Sequence, residues 1–396
     1  MRGRLIQRRW RSDPALYAPP RHRRTCDYEA FEPFPLAGDA FALPAETIGV
    51  VSDAERAIGA LNATVSRALT PLARLLLRTE SIASSKVEGL LVDPRALARA
   101  EAKGDLGAGL GPQAGDVLAN IDAMQLAIEE TSAVERLSIG DVRAIHAALM
   151  HRAGPGSMAG RIRQEQNWIG GNDYTPCGAD FVPPPPESVD ALLDDLVAFA
   201  NADNLSPLVQ AGIAHAQFET IHPFVDGNGR TGRALIHVLL RRRGLAPAFV
   251  PPISVVLARR RAAYIAGLSA YRNGRIADWI EHFAAAAARS AGLAISYLDA
   301  VGRLQEGWRA DLRSAVGPRA DAAAWDVIDA LPAHPVITVP IGVIATGRTR
   351  PAVNTGVDML VRAGILVPLS SVRRNRAWEA VGLLDLIGRM EAGEVP

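Results

Sequence analysis

The stretch His222-Pro-Phe-Val-Asp-Gly-Asn-Gly-Arg-Thr-Gly-Arg233 lies between two segments of helical periodicity, Leu208–Ile221 and Thr231–Arg243. Pro223 disfavours helix at His222, so the first helix should end there. Gly227 and Gly229 allow positive φ and close backbone approach. The second helix then starts near Arg230 with its free N–H groups facing the loop, and the preceding Gly-Asn-Gly makes a ready anion site. Arg230 and Arg233, three apart, share a face of that helix, and two arginines over an anion-binding turn suit a polyphosphate. Asp226 supplies a hard oxygen ligand, suited to Mg²⁺ held together with phosphates. His222 supplies a base near neutral pH, while Phe224 is read as core. Base, metal ligand, anion hole and arginine pair are the parts that nucleotidyl or phosphoryl transfer from a nucleotide requires.

The surroundings must therefore build a helical scaffold. The chain has 396 residues, room for two or three modules, with 48% hydrophobic and 21% charged residues, which excludes wholesale disorder. Aromatics are only 5%, so the core is aliphatic and alanine-rich, favouring helices. The 43 basic and 42 acidic residues nearly cancel, leaving no global electrostatic reason to bind nucleic acid or an anionic membrane. Cys26 and Cys177 are too few for a disulfide framework and suit a reducing compartment. No apolar run reaches the roughly 20 residues of a spanning helix, and no apolar stretch follows the N-terminal arginines, so a cytoplasmic protein with no membrane partner is expected.

Residues 1 to about 45, with Tyr17-Ala-Pro-Pro and Phe31-Glu-Pro-Phe-Pro, read as an extended arm. Helical periodicity runs from Ala45 to about Ala100, as in Leu72, Leu75, Leu76 and Thr79, and a glycine-rich break spans Gly104 to Gly115. Helices resume at Asp116–Glu130 and Ser138–Met150, where Ser138 and Asp141 make a helix start. Between 151 and 187, Gly154, Pro155, Gly156, Gly170, Gly171 and Pro183 to Pro186 forbid a long helix. Arg161–Arg163 and Asn167–Ile169 look there like short strands. Further helices are expected at Ser188–Asn201, Arg259–Asn273 and Ile276–Ala300. His215 and His237 read as packing residues, and His146 and His151 lack partners at metal spacing. Beyond about Asp321 the order is Trp325–Leu331, Ile341–Ala345, a helix from Pro351 to Ala363 closed by Gly364, then two short strands around a basic turn from Ser370 to Asn375. That is the order of a winged helix-turn-helix.

The 222–233 segment resembles the signature of the Fic family, H-x-F-x-(D/E)-G-N-G-R-x-x-R, at every fixed position. Ser84-Ser-Lys-Val-Glu88-Gly89 is similar to that family's inhibitory motif, with Ser84 and Glu88 four apart on one helical face. Residues 160–187 resemble its flap, a β-hairpin over the active site. Tyr264 stands where the family often has Tyr-Tyr, but Ile265 replaces the second tyrosine. Trp279 also falls at a family position. The resemblance implies an all-α fold with a small hairpin flap and a winged-helix C-terminus. The expected domains are 1–110 (arm and inhibitory region), 111–300 (Fic domain), 301–320 (linker helix) and 321–396 (winged helix).

The implied activity is protein adenylyltransferase, moving AMP from ATP to a Tyr, Thr or Ser hydroxyl of a target protein or of the chain itself. His222 would be the base and Asp226 the Mg²⁺ ligand. Gly227, Asn228, Gly229, Arg230, Thr231, Gly232 and Arg233 would hold the phosphates, with Tyr264 and Ile265 near the adenine. Ser84, Glu88 and Gly89 would inhibit, Glu88 by pairing with Arg233. Removal of AMP, transfer of another phosphorylated group, and a DNA-binding regulator with a vestigial transferase stay open. A second copy of the chain is one further partner left open. DNA is another, through Arg350, Asn354, Thr355, Arg362, Arg373, Arg374 and Arg376.

Overall fold

The computed structural model describes residues 1–12, 18–63, 70–105, 109, 111–152, 158–369 and 376–396. Tyr17, Gly154, Pro155, Gly156, part of the glycine-rich break and the basic turn with Arg373 and Arg374 lie outside the described residues. In chain order the elements begin with β1 (Gly3–Trp10), β2 (Cys26–Pro33), α1 (Ala45–Asn62), α2 (Thr70–Val87), α3 (Pro94–Asp105), α4 (Pro112–Glu129), α5 (Ile139–Met150), α6 (Pro186–Ala200), α7 (Pro207–Ile221) and α8 (Asn228–Arg242). There follow α9 (Ile253–Arg259), α10 (Arg261–Arg272), α11 (Ile276–Ala315), α12 (Ala323–Ala330), β3 (Val336–Thr338), α13 (Val339–Thr346), α14 (Arg350–Arg362), β4 (Leu366–Pro368), β5 (Ala377–Ala380) and α15 (Leu383–Glu391). The residues divide into two compact units. One comprises 1–55, 122–245 and 261–285, and the other 56–121, 246–260 and 286–396.

The first unit is built on α7, in which every residue from Leu208 to Ile221 is buried. It packs against α6, α8, α10 and β2. A proline at the first turn starts both α6 and α7, where its missing N–H is harmless. Ser138 and Asp141 form the expected capping box of α5. α8 lies close against α7 at Gly232, where a Cβ would fall 2.7 Å from Glu219 Oε1 and 2.9 Å from the Phe218 ring.

Three expectations are corrected in this unit. The N-terminal arm is an antiparallel hairpin, β1 with β2, in register from Gly3 opposite Pro33 to Trp10 opposite Cys26. It lacks apolar alternation because polar cross-strand pairs hold it, Arg4 with Glu32 and Gln7 with Glu29. The flap, in contrast, is a hairpin reduced to its shortest form. Its described residues form one bridge, Ile169 opposite Phe181, and no strand at Arg161–Arg163. Gly170 and Gly171 both turn at positive φ, and Pro183 to Pro186 have no N–H to pair. Finally, Cys26 and Cys177, 151 residues apart, are joined in a disulfide that ties β2 to the flap. The sequence reading took them as thiols because spacing alone cannot reveal a contact made by topology.

In the second unit α2 is fixed by buried polar groups. Glu80 accepts from Ser254 N at 2.8 Å and from Ser254 Oγ at 2.5 Å, placing a carboxylate at the start of α9. Asn120 of α4 donates to Ser81 O at 2.6 Å and to Ser85 Oγ at 3.0 Å. The C-terminal elements follow the expected order of helices and short strands, with a three-stranded sheet ordered β3-β5-β4. β3, α9 and α15 were not read from the sequence. Residues 301–315 continue α11. Gly364, left-handed at φ 73°, closes α14, with Ile365 N donating to Leu360 O at 2.9 Å.

Candidate active site

α7 ends where Pro223 requires it, and the residue at its end is in a left-handed conformation. His222 has φ 50° and ψ 60°, and among the described residues no other non-glycine residue has positive φ. Such a backbone costs an L-residue about 1–2 kcal/mol and persists where neighbours impose it. His222 N donates to Phe218 O at 2.9 Å. Its carbonyl accepts from Arg163 Nε at 2.9 Å and from Asn167 Nδ2 at 3.3 Å. The chain then turns through Gly227, at φ 77°, into α8. A Cβ at Gly227 would meet Leu149 at 2.9 Å, so glycine is needed for space as well as for φ. The helix starts at Asn228, two residues earlier than expected, and Gly229 is helical without a positive φ. The first N–H groups of α8 have no carbonyl of their own helix to bond, which leaves them for an anion.

The buried side-chain amide of Asn228 is closed on Phe224, accepting from Phe224 N and donating to Phe224 O, both at 2.8 Å. Its part is to hold the loop shut. Arg230, Thr231, Gly232 and Arg233 are all buried in the first turns of α8. Arg230 Nη2 lies 3.6 Å from Asp226 Oδ2, and its buried Nε has no hydrogen-bond partner among the described residues. A guanidinium so placed suits an anionic ligand.

Two residues to which the sequence reading gave no part in the site fix this loop. His146 of α5 stacks on Phe224 with ring centroids 3.7 Å apart. Its Nδ1 accepts from Gly160 N at 2.9 Å, so Nε2 carries the proton and donates to Asp226 O at 2.9 Å. Burial lowers its pKa, consistent with a neutral ring. Arg163 is the second, its guanidinium buried among carbonyls. Neither contact has a local signature, since the partners lie 80 and 59 residues away. His215, read as a packing residue, is fully buried, and its Nε2 pairs with Tyr264 OH at 2.9 Å. Burial first and Arg233 second push its pKa down to about 3, so it is neutral. Trp279 completes this aromatic group and donates to Gly212 O at 2.8 Å. Ile265, by contrast, is 43% exposed.

Asp226 exposes 72% of its side chain, and among the described residues no group of three or more His, Cys, Asp or Glu could hold a metal. A single accessible carboxylate fits Mg²⁺ only when phosphates supply the other ligands. The motif Ser84–Gly89 belongs to the second unit. α2 stops at Val87, so Glu88 lies just past the helix and not four along its face from Ser84. Ser84 is buried and Glu88 is exposed. Gly89 turns at φ 85°, and Leu90 N returns to Ser85 O at 3.1 Å. On α14, Arg350 and Thr355 are exposed, while nearby Arg348 pairs with Asp326 at 2.7 Å. Among the described residues no helix is long and apolar enough to cross a membrane.

Residues 136–240 match the Fic/DOC family and residues 48–129 the Fic/DOC family N-terminal region. Protein adenylyltransferase fic-1 of Caenorhabditis elegans is 32% identical over 153 residues, 38% of this chain and 27% of that protein. Protein adenylyltransferase Fic of Drosophila erecta is 29% identical over 151 residues, 37% and 27% of the two. The chain thus spans about a quarter of the length of these relatives. Among solved structures, a Fic family protein from Desulfovibrio desulfuricans is similar with a TM-score of 0.53 at 22% identity, covering 86% of this chain and 98% of that one. Residues 134–508 of C. elegans Fic-1 are similar with a TM-score of 0.53 at 22% identity, covering 65% and 74%. At these identities the structural likeness concerns the fold.

Proposed function

Because the chain belongs to the Fic/DOC family, we propose that it is a protein adenylyltransferase, moving AMP from ATP to a Tyr, Thr or Ser hydroxyl of a protein. The observation that carries this reading is the pairing of His222, held left-handed at the end of α7, with the open N-terminal turn of α8 and its buried Arg230 and Arg233. His222 takes the proton of the acceptor hydroxyl. The hydroxyl oxygen forms a bond to the α-phosphorus of ATP, the bond from that phosphorus to the bridging oxygen breaks, and pyrophosphate leaves. The N–H groups of Gly227 to Gly229 and the two arginines hold the phosphates, with Thr231 and Gly232 lining the same turn. Tyr264 and Ile265 flank the adenine of ATP. Asp226 would hold Mg²⁺ jointly with the phosphates, and the ion when bound neutralises their charge.

Glu88 regulates this site by competing, as a carboxylate, with the γ-phosphate for Arg233, Ser84 and Gly89 shaping the turn that carries it. The acceptors include the chain itself. The C-terminal elements form a winged helix. The test is incubation of the purified chain with Mg²⁺ and ATP labelled in either the α- or the γ-phosphate. Label from the α-position alone on protein supports AMP transfer. Label from the γ-position identifies a phosphotransferase, and label from neither, on the chain and on its Glu88→Gly variant alike, removes the reading.

A further inference from the structure

Arg163 is 1% exposed, yet among the described residues no carboxylate pairs with it. Its guanidinium donates to four carbonyls: His222 O at 2.9 Å, Ile221 O at 3.3 Å, Pro184 O at 2.6 Å and Glu165 O at 3.0 Å. Its own N–H donates to Pro223 O at 2.9 Å. Burial lowers its pKa to about 10, which leaves it charged at neutral pH. Two features set this arrangement apart from an ordinary buried ion pair. The carbonyls of Ile221 and His222 end α7, where the helix dipole concentrates negative charge, so the cation is matched to a helix terminus. The same side chain and backbone also grip both peptide groups flanking the left-handed His222. A strained backbone persists when its surroundings over-determine it, and Arg163 contributes most of those bonds.

We infer that Arg163 is the positioning residue of the catalytic base: it caps α7 and holds His222 in the left-handed turn that aims the imidazole at the acceptor hydroxyl. This rests on His222 being the base. Arg163 touches neither ATP nor acceptor in this account, so it acts on the chemical step and leaves nucleotide binding alone. Asn167 assists, donating to His222 O and to Phe224 O at 3.0 Å.

The test uses the full chain with Arg163→Met, which keeps bulk and loses every donor, and Arg163→Lys, which keeps charge and some donors. Each is made alone and together with His222→Gly. Arg163→Met should lower kcat for AMP transfer about 10–100-fold, as a displaced catalytic group does, with the KM for ATP within about threefold. Arg163→Lys should recover part of the loss and also serves if the Met variant folds poorly. In the His222→Gly background Arg163→Met should change the residual rate by less than about twofold, because a residue acting through another has nothing left to act on. The His222 imidazole resonance, identified by its absence in His222→Gly, should shift in Arg163→Met while that of His215 stays. An equal loss in both backgrounds, a raised KM with kcat intact, or an unmoved His222 resonance overturns the inference. Full activity of His222→Gly would instead overturn the base itself, and the resonance would still decide whether Arg163 positions the ring.

Discussion

The loop from His222 to Arg233 closes on itself, whereas the turn at Glu88 and Gly89, just past α2, is exposed. In the loop, Asn228 bonds Phe224 in both directions, His146 covers Phe224 and bonds Asp226, and buried arginines follow in the next turn. In the turn, an exposed Glu88 follows the last residue of α2, and Gly89 has nothing within 4 Å of where a Cβ would stand. A segment that performs chemistry must arrive with its geometry built, since a misplaced group loses orders of magnitude in rate. A segment that regulates must be able to leave. Contiguous, buried and cross-bonded therefore belongs to the first task, and exposed and terminal to the second.

The largest expected effect tests the closed half. His222→Ala should lower AMP transfer at least ~10²–10⁴-fold, the usual contribution of a general base, while ATP affinity stays within a few-fold because the phosphates are held elsewhere. His222→Gly should be equally inactive yet more stable than His222→Ala by about 1 kcal/mol, since alanine at φ 50° carries the left-handed penalty that glycine avoids. Thermal melts and single-turnover rates on the two variants measure both. Activity within a few-fold of wild type in either variant would remove His222 from the chemistry.

The open half is tested next. Glu88→Gly should raise AMP transfer by about tenfold or more, each 1.4 kcal/mol of lost inhibition being a factor of ten, with Glu88→Asp between it and wild type. Arg233→Ala should stay inactive in combination with Glu88→Gly, because the γ-phosphate ligand is then missing. Unchanged transfer in Glu88→Gly would reduce Glu88 to a surface residue and end the contrast.

The contrast was only half legible beforehand. The loop could be read because Pro223, Gly227 and the arginines are consecutive and each carries its own local rule. The helix start at Ser138 was legible for the same reason. Arg163, His146 and the Cys26–Cys177 pair were not, because each depends on residues 59 or more positions away. The β1–β2 hairpin escaped because Arg4–Glu32 and Gln7–Glu29 pairs replace apolar alternation. The end of α2 at Val87 was missed although Gly89 carries an ordinary helix-stop signal, which the family motif overshadowed.

pH offers a handle on the regulatory side. Glu391 of α15 is buried, and α15 packs against α2 and α3. Burial raises its pKa to about 8, outweighing the nearby Lys86 and Arg78, while Asp93 adds to the rise. Below about pH 4.5 the group is protonated in folded and unfolded chains alike, and its neutral form is accommodated. Between there and pH 8 the unfolded chain ionises first, so stability falls as pH rises, by a few kcal/mol at most. Glu391→Gln should flatten that slope in denaturant titrations at pH 5 and pH 8. An unaltered slope would show that Glu391 does not remain protonated in its packed position.

The smallest effect separates the two glycines. Gly89 and Gly227 have nearly the same backbone, φ 85° and φ 77°. At Gly89 a methyl group meets nothing within 4 Å, so Gly89→Ala carries only the left-handed penalty of about 1 kcal/mol, partly offset by a less flexible unfolded chain. At Gly227 the same methyl falls 2.9 Å from Leu149 and 3.4 Å from the His146 ring, so overpacking adds about 1–3 kcal/mol and pushes on the ring that orients Asp226. Gly227→Ala should therefore lose both stability and transfer. Gly89→Ala should melt close to wild type and, with the Glu88 carboxylate intact, transfer AMP at about the wild-type rate, since only loss of that group relieves inhibition. Equal destabilisation by the two substitutions would mean that the turn at Gly89 is as tightly built as the catalytic loop, and the distinction between a closed segment and an open one would fail.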